Sequence, residues 1–231
     1  MKQWPLLLWV VLGLSGCGLT TAEKVHDLNQ EGIGALRRHD YALAQKRFEE
    51  AVQLEPENAT SIYNLANTAH QAGEWKLAED RYRQCLKLQP DHAPAHHGLA
   101  MLLVQQNRSD DAWKLIDQWL ADRPNLADAH AENGWMLRES GDLPAAQARL
   151  QKALALDPNN VRALIELGIL YETYSYPDRA ASLFERALQR DPQQMEALTH
   201  MASLKHGQKR REGTLMANGP AKGNGDLQIQ K

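Results

Sequence analysis

Apolar residues recur in this sequence at a constant interval of 34 residues, with polar residues between them. One column holds only alanine, and a second column, four positions later, holds only large apolar or aromatic side chains. The alanines are Ala44, Ala78, Ala112, Ala146 and Ala180, and the large residues are Phe48, Tyr82, Ile116, Leu150 and Phe184. A fixed period of roughly 20–50 residues indicates a solenoid, in which each repeat buries its apolar face against its neighbours. Because no strand pattern competes, we predict an all-α chain of stacked repeats.

A set of prolines at the same interval fixes the register of the repeats. The prolines are Pro56, Pro90, Pro124, Pro158 and Pro192. Proline has no backbone N–H and cannot continue a helix interior, so each one marks the end of a repeat. With proline at position 32, the five repeats cover residues 25–58, 59–92, 93–126, 127–160 and 161–194.

A second turn is predicted near the middle of each repeat, at positions 14–16. Gly73, Asn107 and Gly141 occur there, and these residue types suit the left-handed conformation that ends a helix. Each repeat is therefore predicted to consist of two helices, a first helix before this turn and a second helix after it.

The columns together resemble the tetratricopeptide repeat. The repeat at 161–194 matches that pattern best, with Leu164, Leu167, Gly168, Tyr171, Ala180, Phe184, Ala187 and Pro192. The resemblance covers residues 25–206 and implies a right-handed α-solenoid of five helix pairs closed by a C-terminal capping helix. Trp119 stands where the pattern has a small residue, and we expect a wider helix spacing there.

The two ends of the chain depart from the repeat pattern. Residues 195–206 have the pattern of a lone sixth first helix, and such a helix would cap the open end of the array. After Gly207 the sequence contains few large apolar residues, and we expect residues 207–231 to form a disordered basic tail.

The first residues have the features of a targeting segment. Lys2 precedes a short apolar run from Trp4 to Leu14, and small residues lead into Cys17. The LSGC sequence resembles the lipobox of bacterial lipoproteins, which implies a signal peptide at residues 1–16, lipidation of Cys17, and a linker at 17–24. Gly18 follows the cysteine where aspartate would favour inner-membrane retention, so the resemblance implies the outer membrane, facing the periplasm. An ordinary secretory peptide and a retained apolar anchor are the alternatives.

The distribution of charge limits the classes of partner, and the position of Cys85 indicates the state of its thiol. Residues 18–204 carry 19 Lys and Arg against 27 Asp and Glu, a net charge of −8, whereas residues 205–231 have a net charge of +4. An acidic array with a short basic tail lacks the basic face that nucleic acid binding requires, so we expect no nucleic acid partner. Cys85 falls at a small, inward-facing position, and we expect a buried, inert thiol.

Motifs of catalysis and metal binding are absent from the sequence. There is no Gly-rich phosphate loop, GxSxG, HExxH or CxxC sequence. His92, His96, His97 and His130 lie near one another along the chain, but in this register His96 and His130 are expected to pack between helices. We therefore predict a protein that is not an enzyme, with no cofactor, no metal and no small-molecule substrate.

The family resemblance places a binding groove on the concave side, lined by the first helices. In this family, positions 2, 5, 9, 12 and 13 of each repeat commonly contact a peptide or protein partner. The matching residues here are Asn29, Tyr63, Asn67, His70, His97, Met101, Trp135, Arg138, Ile165, Ile169 and Glu172. Aromatic, methionine and arginine side chains mixed with amides are typical of an adaptable peptide-binding surface.

Two functions remain in view at this point. The first is a lipid-anchored adaptor that holds a protein partner or peptide during assembly of pili, secretion channels or cell-wall machinery. The second is an accessory subunit of a separate envelope enzyme, such as a peptidoglycan hydrolase or a glycosyltransferase. The combination of signal peptide, lipobox and repeats is similar in architecture to the pilotins, the lipoproteins of type IV pilus assembly.

Overall fold

The computed structural model describes residues 19–217, with side chains as far as residue 207. These residues form eleven helices and no strand. The helices are α1 (Thr21–Arg37), α2 (Tyr41–Leu54), α3 (Ala59–Gln71), α4 (Trp75–Leu88), α5 (Ala93–Gln105), α6 (Ser109–Asp122), α7 (Ala127–Glu139), α8 (Leu143–Leu156), α9 (Val161–Thr173), α10 (Pro177–Arg190) and α11 (Met195–Ala217). Helices α1 to α10 form five pairs and α11 follows them, which confirms the predicted all-α class.

The described residues divide into two compact units. The N-terminal unit ends at Pro90 and contains α1 to α4, and the C-terminal unit begins at Asp91 and contains α5 to α11. In each unit the first and second helices of a repeat pack against each other.

Small residues on the first helix allow this close packing. At Gly168 an added Cβ would lie 2.6 Å from Cε1 of Phe184, and at Gly134 it would lie 2.7 Å from Cγ of Leu150. Phe184 and Leu150 are fully buried, so their side chains fill the space that glycine leaves open. In the N-terminal unit Gly32 and Phe48 make the same contact.

The turn inside each repeat has the same backbone conformation in all five repeats. Residue 15 of every repeat has a positive φ, between 58° and 88°. These residues are His39, Gly73, Asn107, Gly141 and Ser175. The structure therefore confirms the left-handed residue at Gly73, Asn107 and Gly141. It shows the same conformation at His39 and Ser175, whose residue types gave no reason to predict a positive φ.

Side chains cap the starts of five helices from α2 to α10, at turns within repeats and between them. Each of them accepts a hydrogen bond from the backbone N–H three residues further on, which satisfies a helix group that would otherwise lack a partner. They are Asp40, Asn58, His92, Asp142 and Asn160. His92 therefore serves as a helix cap.

The predicted linker at 17–24 is wrong in its C-terminal half, because α1 begins at Thr21. The Thr20 hydroxyl accepts a hydrogen bond from the N–H of Glu23, and the Glu23 carboxylate accepts one from the N–H of Thr20. This reciprocal capping box nucleates the helix four residues before the first repeat begins.

The predicted disorder after Gly207 is also wrong as far as Ala217, because α11 continues to that residue. A single glycine costs a helix only about 1 kcal/mol relative to alanine. The Gln, Lys, Arg, Glu, Leu and Met residues that follow Gly207 are good helix formers, and no proline occurs before Pro220. Residues 218–231 lie outside the described part of the chain.

Trp119 fits into the third repeat by stacking on His96. The two rings are 3.8 Å apart at an angle of 5°, and the indole N–H donates to Oδ1 of Asp91 at 3.2 Å. Helices α5 and α6 pack less closely than the helices of the other pairs, as expected for a large side chain at this position.

Among the described helices, none combines the length and the apolar character that a membrane span requires. Residues 1–18, which include the apolar run and Cys17, lie outside the described residues.

Cys85 is fully buried on α4, as predicted, and burial raises the pKa of its thiol to about 11. In a Cys17→Ala variant, where Cys85 is the remaining thiol of the chain, an aromatic disulfide reagent should label Cys85 only as fast as the protein unfolds. Labelling of the native protein at the rate of an exposed thiol would contradict this burial.

Candidate functional site

The first helices of the C-terminal unit lie side by side. Helix α5 contacts α7, α7 contacts α9, and α9 contacts α11, so the four helices form one layer. All of the sequence-predicted binding residues of this unit lie on helices of that layer. We call the set His97, Met101, Trp135, Arg138, Ile169 and Glu172 the first-helix face.

Accessibility divides the predicted residues of the C-terminal unit. His97, Met101, Arg138, Ile169 and Glu172 are partly exposed. Ile165, by contrast, is fully buried in the apolar core of the unit, so its assignment to the binding surface is wrong. Its position in the repeat could not show this, because burial there depends on the side chains that pack around it in the core.

Trp135 is also buried, with 6% of its surface exposed. Its ring lies under the guanidinium of Arg162, 5.7 Å from ring centroid to the guanidinium carbon, and edge-on to His97 at 4.7 Å between ring centroids. Trp135 therefore supports the face from below and offers a partner little surface of its own.

The predicted binding residues of the N-terminal unit also divide into partly exposed and buried ones. Tyr63 and Asn67 are partly exposed, whereas Asn29 and His70 are buried. The Asn29 amide donates to the Ser61 hydroxyl at 2.8 Å, and His70 packs edge-on against other aromatic rings. Asn29 and His70 are therefore packing residues, which corrects their assignment to the groove.

A chain of ion pairs runs through the first-helix layer and is centred on Arg162 of α9. Its guanidinium lies 3.4 Å from Glu132 of α7, 3.1 Å from Glu166 of α9 and 3.5 Å from Glu196 of α11. The Arg162 side chain is 21% exposed, and those of Glu132 and Glu166 are 4% and 0% exposed. One arginine thus links three consecutive first helices, with Glu132 and Glu166 buried and Glu196 at the exposed end.

Arg138 extends the chain of ion pairs toward the surface. Its Nε donates to Oε2 of Glu166 at 2.7 Å, and its Nη1 lies 2.9 Å from Oε1 of Glu139. Glu166 therefore faces two arginines, and the partly exposed Arg138 is held in one direction by its neighbours.

His97 joins the network from α5. Nδ1 of His97 lies 2.9 Å from Oε2 of Glu132, while Nη2 of Arg162 lies 3.0 Å from Nδ1 and 3.2 Å from Nε2 of the same ring. The imidazole is therefore held between the Glu132 carboxylate and the Arg162 guanidinium. The network thus fixes the orientation of the His97 ring.

The two buried carboxylates respond to burial differently. Burial opposes ionisation of Glu132, but Arg162 and His97 outweigh it and hold its pKa below the usual range. For Glu166 burial dominates and raises the pKa, although Arg162 and Arg138 act in the opposite direction. Glu132 is thus the firmly ionised partner of Arg162.

The capping helix is tied to the face by His200. Its Nδ1 lies 2.5 Å from Oε2 of Glu172, and its ring stacks on Phe184 with 5.1 Å between centroids. Glu172 therefore contacts α11, and its carboxylate is directed by this histidine.

Sequence reasoning missed Glu132, Arg162 and Glu166. A signal was available, because glutamate occupies position 6 in two successive repeats and Arg162 stands four residues before Glu166 on the same helix. The predicted groove positions did not include position 6, where a buried glutamate depends on the arginine beside it. Arg162 stands at position 2, a groove position, but was not among the residues chosen there.

Among residues 19–207, no group of three His, Cys, Asp or Glu side chains is placed to hold a metal ion. His96 and His130 are buried between helices as predicted, and Nε2 of His130 lies 2.9 Å from the carbonyl oxygen of Pro124.

The fold and the repeated packing define an α-helical repeat protein made of helix pairs. Tetratricopeptide repeat models match residues 35–81, 69–132 and 134–173. The chain belongs to the tetratricopeptide repeat family, whose members bind protein or peptide partners. A comparison with curated proteins finds no match.

Solved structures share this fold at low sequence identity. A thermophilic tetratricopeptide repeat protein of Thermus thermophilus is 21% identical, with a TM-score of 0.60 over 78% of this chain and 98% of its own. Yeast Tom70 is 18% identical, with a TM-score of 0.64 over 83% of this chain and 41% of Tom70. Human IFIT1, in a dimer with PPP-AAAA, is 22% identical, with a TM-score of 0.57 over 86% of this chain and 49% of IFIT1.

Proposed function

We propose that this protein is a lipid-anchored adaptor that holds a protein or peptide partner on its first-helix face during assembly of the cell envelope. The observation that carries the proposal is the ion-paired layer under that face. Arg162 and Glu132 hold His97 and Trp135 in place, and Glu166 holds Arg138, so little side-chain freedom is lost when a partner binds.

The composition of the face suits a protein partner. Met101 and Ile169 offer partly exposed apolar surface, and Arg138 and Glu172 offer charged groups whose directions are set by neighbours. Apolar contacts flanked by oriented polar groups are typical of protein-binding surfaces.

The partner contact is tested by affinity capture of the acylated protein from its own membranes. A Met101→Glu, Ile169→Glu double variant places two new charges on the face and should lose a partner that the wild type retains. The matched control is Gln151→Glu with Gln189→Glu, which adds the same charge at exposed positions of α8 and α10. Equal recovery of every captured protein by the face variant and the wild type would contradict the proposed face.

The anchor is supported by the LSGC sequence that ends in Cys17. Several buried acyl chains, each contributing about 0.8 kcal/mol per CH₂, make such attachment stable. The absence of aspartate after Cys17 favours the outer membrane, with the repeats in the periplasm.

Replacing Cys17 with alanine should leave an uncleaved or mislocalised precursor, because the acyl acceptor is lost. Membrane fractionation with detection of precursor and mature forms measures this. Normal processing and normal membrane attachment of the variant would refute lipidation at Cys17, while leaving the first-helix face untouched.

A further inference from the structure

A pocket lies beside the turn between α9 and α10, built from residues that the first-helix face does not include. Its lining consists of Gln147, Tyr171, Tyr174, Tyr176 and Arg179, around an open volume of about 380 Å³. Tyr171 and Tyr174 pack partly against the core of the C-terminal unit, whereas 52% of the Tyr176 surface is exposed. The pocket therefore presents an exposed tyrosine ring beside two partly buried ones.

Arg179 is held in this pocket by the two rings that flank it. Its guanidinium carbon lies 5.6 Å from the ring centroid of Tyr171 and 5.2 Å from that of Tyr176. These are cation–π distances, and the two rings stand nearly perpendicular to each other at 79°. The arginine is therefore oriented by ring faces, which leave its N–H donors unused.

Arg179 has no acidic partner in the part of the chain that the structure describes. The neighbouring arginines of this unit, Arg138 and Arg162, are each ion-paired with glutamates. None of the five residues that line the pocket carries a carboxylate. The pocket thus combines one unpaired cation with phenol hydroxyls and an amide as hydrogen-bond donors.

The backbone holds this arrangement in place before any ligand arrives. Ser175 adopts a left-handed φ of 61°, and the N–H of Tyr176 donates to the carbonyl of Tyr171 at 2.8 Å. Pro177 then begins α10 and fixes the direction of the helix that carries Arg179. The turn therefore fixes the backbone from which Tyr171, Tyr176 and Arg179 extend.

We infer that this pocket binds a carboxylate of a peptide or protein partner, with the apolar part of the adjoining residue on the tyrosine rings. A guanidinium presents paired N–H donors that match the two oxygens of a carboxylate. Tyrosine faces accept aromatic or aliphatic side chains at small cost in conformational entropy. The carboxylate can come from a chain terminus or from an Asp or Glu side chain.

The test is a titration of the full chain, in detergent and labelled with ¹⁵N on arginine, followed through the arginine Nε–H signals. Three probes distinguish a chain-terminal carboxylate from a side-chain carboxylate. Acetyl-Phe-Leu has a free terminal carboxylate, acetyl-Phe-Leu-amide has none, and acetyl-Phe-Glu-amide has a carboxylate only on its side chain. The Arg179 signal should shift saturably with the free acid below about 10 mM and not with the first amide. A shift with acetyl-Phe-Glu-amide assigns the site to acidic side chains as well as to chain ends.

Variants make the result specific to this pocket. Because the Arg179 signal is lost in the Arg179 variants, their binding is measured by isothermal titration calorimetry. Arg179→Gln should weaken binding of the free acid at least tenfold, and Arg179→Lys should weaken it several-fold, because lysine lacks the two-pronged geometry. Tyr176→Phe keeps the ring and should bind normally, whereas Tyr176→Leu should bind several-fold more weakly. Arg149→Gln, at an exposed arginine of α8, is the matched control and should bind as the wild type does.

Several outcomes would overturn the inference. They are binding of the first amide as tight as that of the acid, unchanged affinity in Arg179→Gln, and no saturable shift up to about 10 mM acid. Because the first-helix face contains none of these residues, failure here leaves the proposed adaptor function standing.

Discussion

Replacing Arg162 with methionine should lower the free energy of unfolding of the C-terminal unit by about 3–5 kcal/mol. The substitution removes the cation and leaves Glu132 and Glu166 buried without their shared partner. Removing one member of a buried ion pair is costly because the remaining charge stays desolvated. Urea unfolding combined with hydrogen exchange of the α7 and α9 amides measures the loss.

The matched control is Arg149→Met, which removes an exposed arginine from α8 and should change the stability by less than about 0.5 kcal/mol. Adding Glu132→Gln to Arg162→Met removes one uncompensated charge and should recover part of the loss. If Arg162→Met costs no more than its control, the network does not hold the first-helix layer together.

Replacing Phe184 with alanine should cost about 3–5 kcal/mol, because it removes a fully buried ring from the core. The ring fills the space above Gly168 and stacks on His200 of the capping helix. Its loss should therefore weaken hydrogen-exchange protection in α9 and α11 together. A loss below about 1 kcal/mol would mean that the site collapses onto the cavity.

A double-mutant cycle tests the contact with Gly168 directly. Gly168→Ala alone should destabilise the protein by about 1–3 kcal/mol, since its Cβ would lie 2.6 Å from the Phe184 ring. In a Phe184→Leu background the same change should be better tolerated, because a smaller and more flexible side chain faces it. Additive effects of the two changes would contradict the proposed fit.

The sequence predicted most of the fold because the packing is periodic. A small residue opposite a large one is needed once in each repeat, so columns such as Ala180 and Phe184 can be recognised from spacing alone. The turn residues show the limit of prediction from residue type. Gly73 and Gly141 have residue types that favour a positive φ, whereas Ser175 adopts the same conformation because the helices on either side require it.

The candidate site was less predictable, because its residues cooperate across repeats. On a helical wheel Glu166 is indistinguishable from a solvated carboxylate. Its burial is stabilised by ion pairs with Arg162 and Arg138, which the sequence of one repeat does not show. Ile165 was assigned to the surface by its repeat position, yet the neighbouring helices cover it.

The continuation of α11 to Ala217 was not predicted, because Gly207 was given more weight than the good helix formers that follow it.

Site-specific photo-crosslinking in native membranes tests the central claim most directly. A benzophenone amino acid placed at Met101 or at Ile169 should crosslink the same partner protein, and one placed at Gln151 or Gln189 on the second helices should not. Crosslinking of that partner from the second-helix positions, with none from Met101 and Ile169, would show that the first-helix face is not the binding surface.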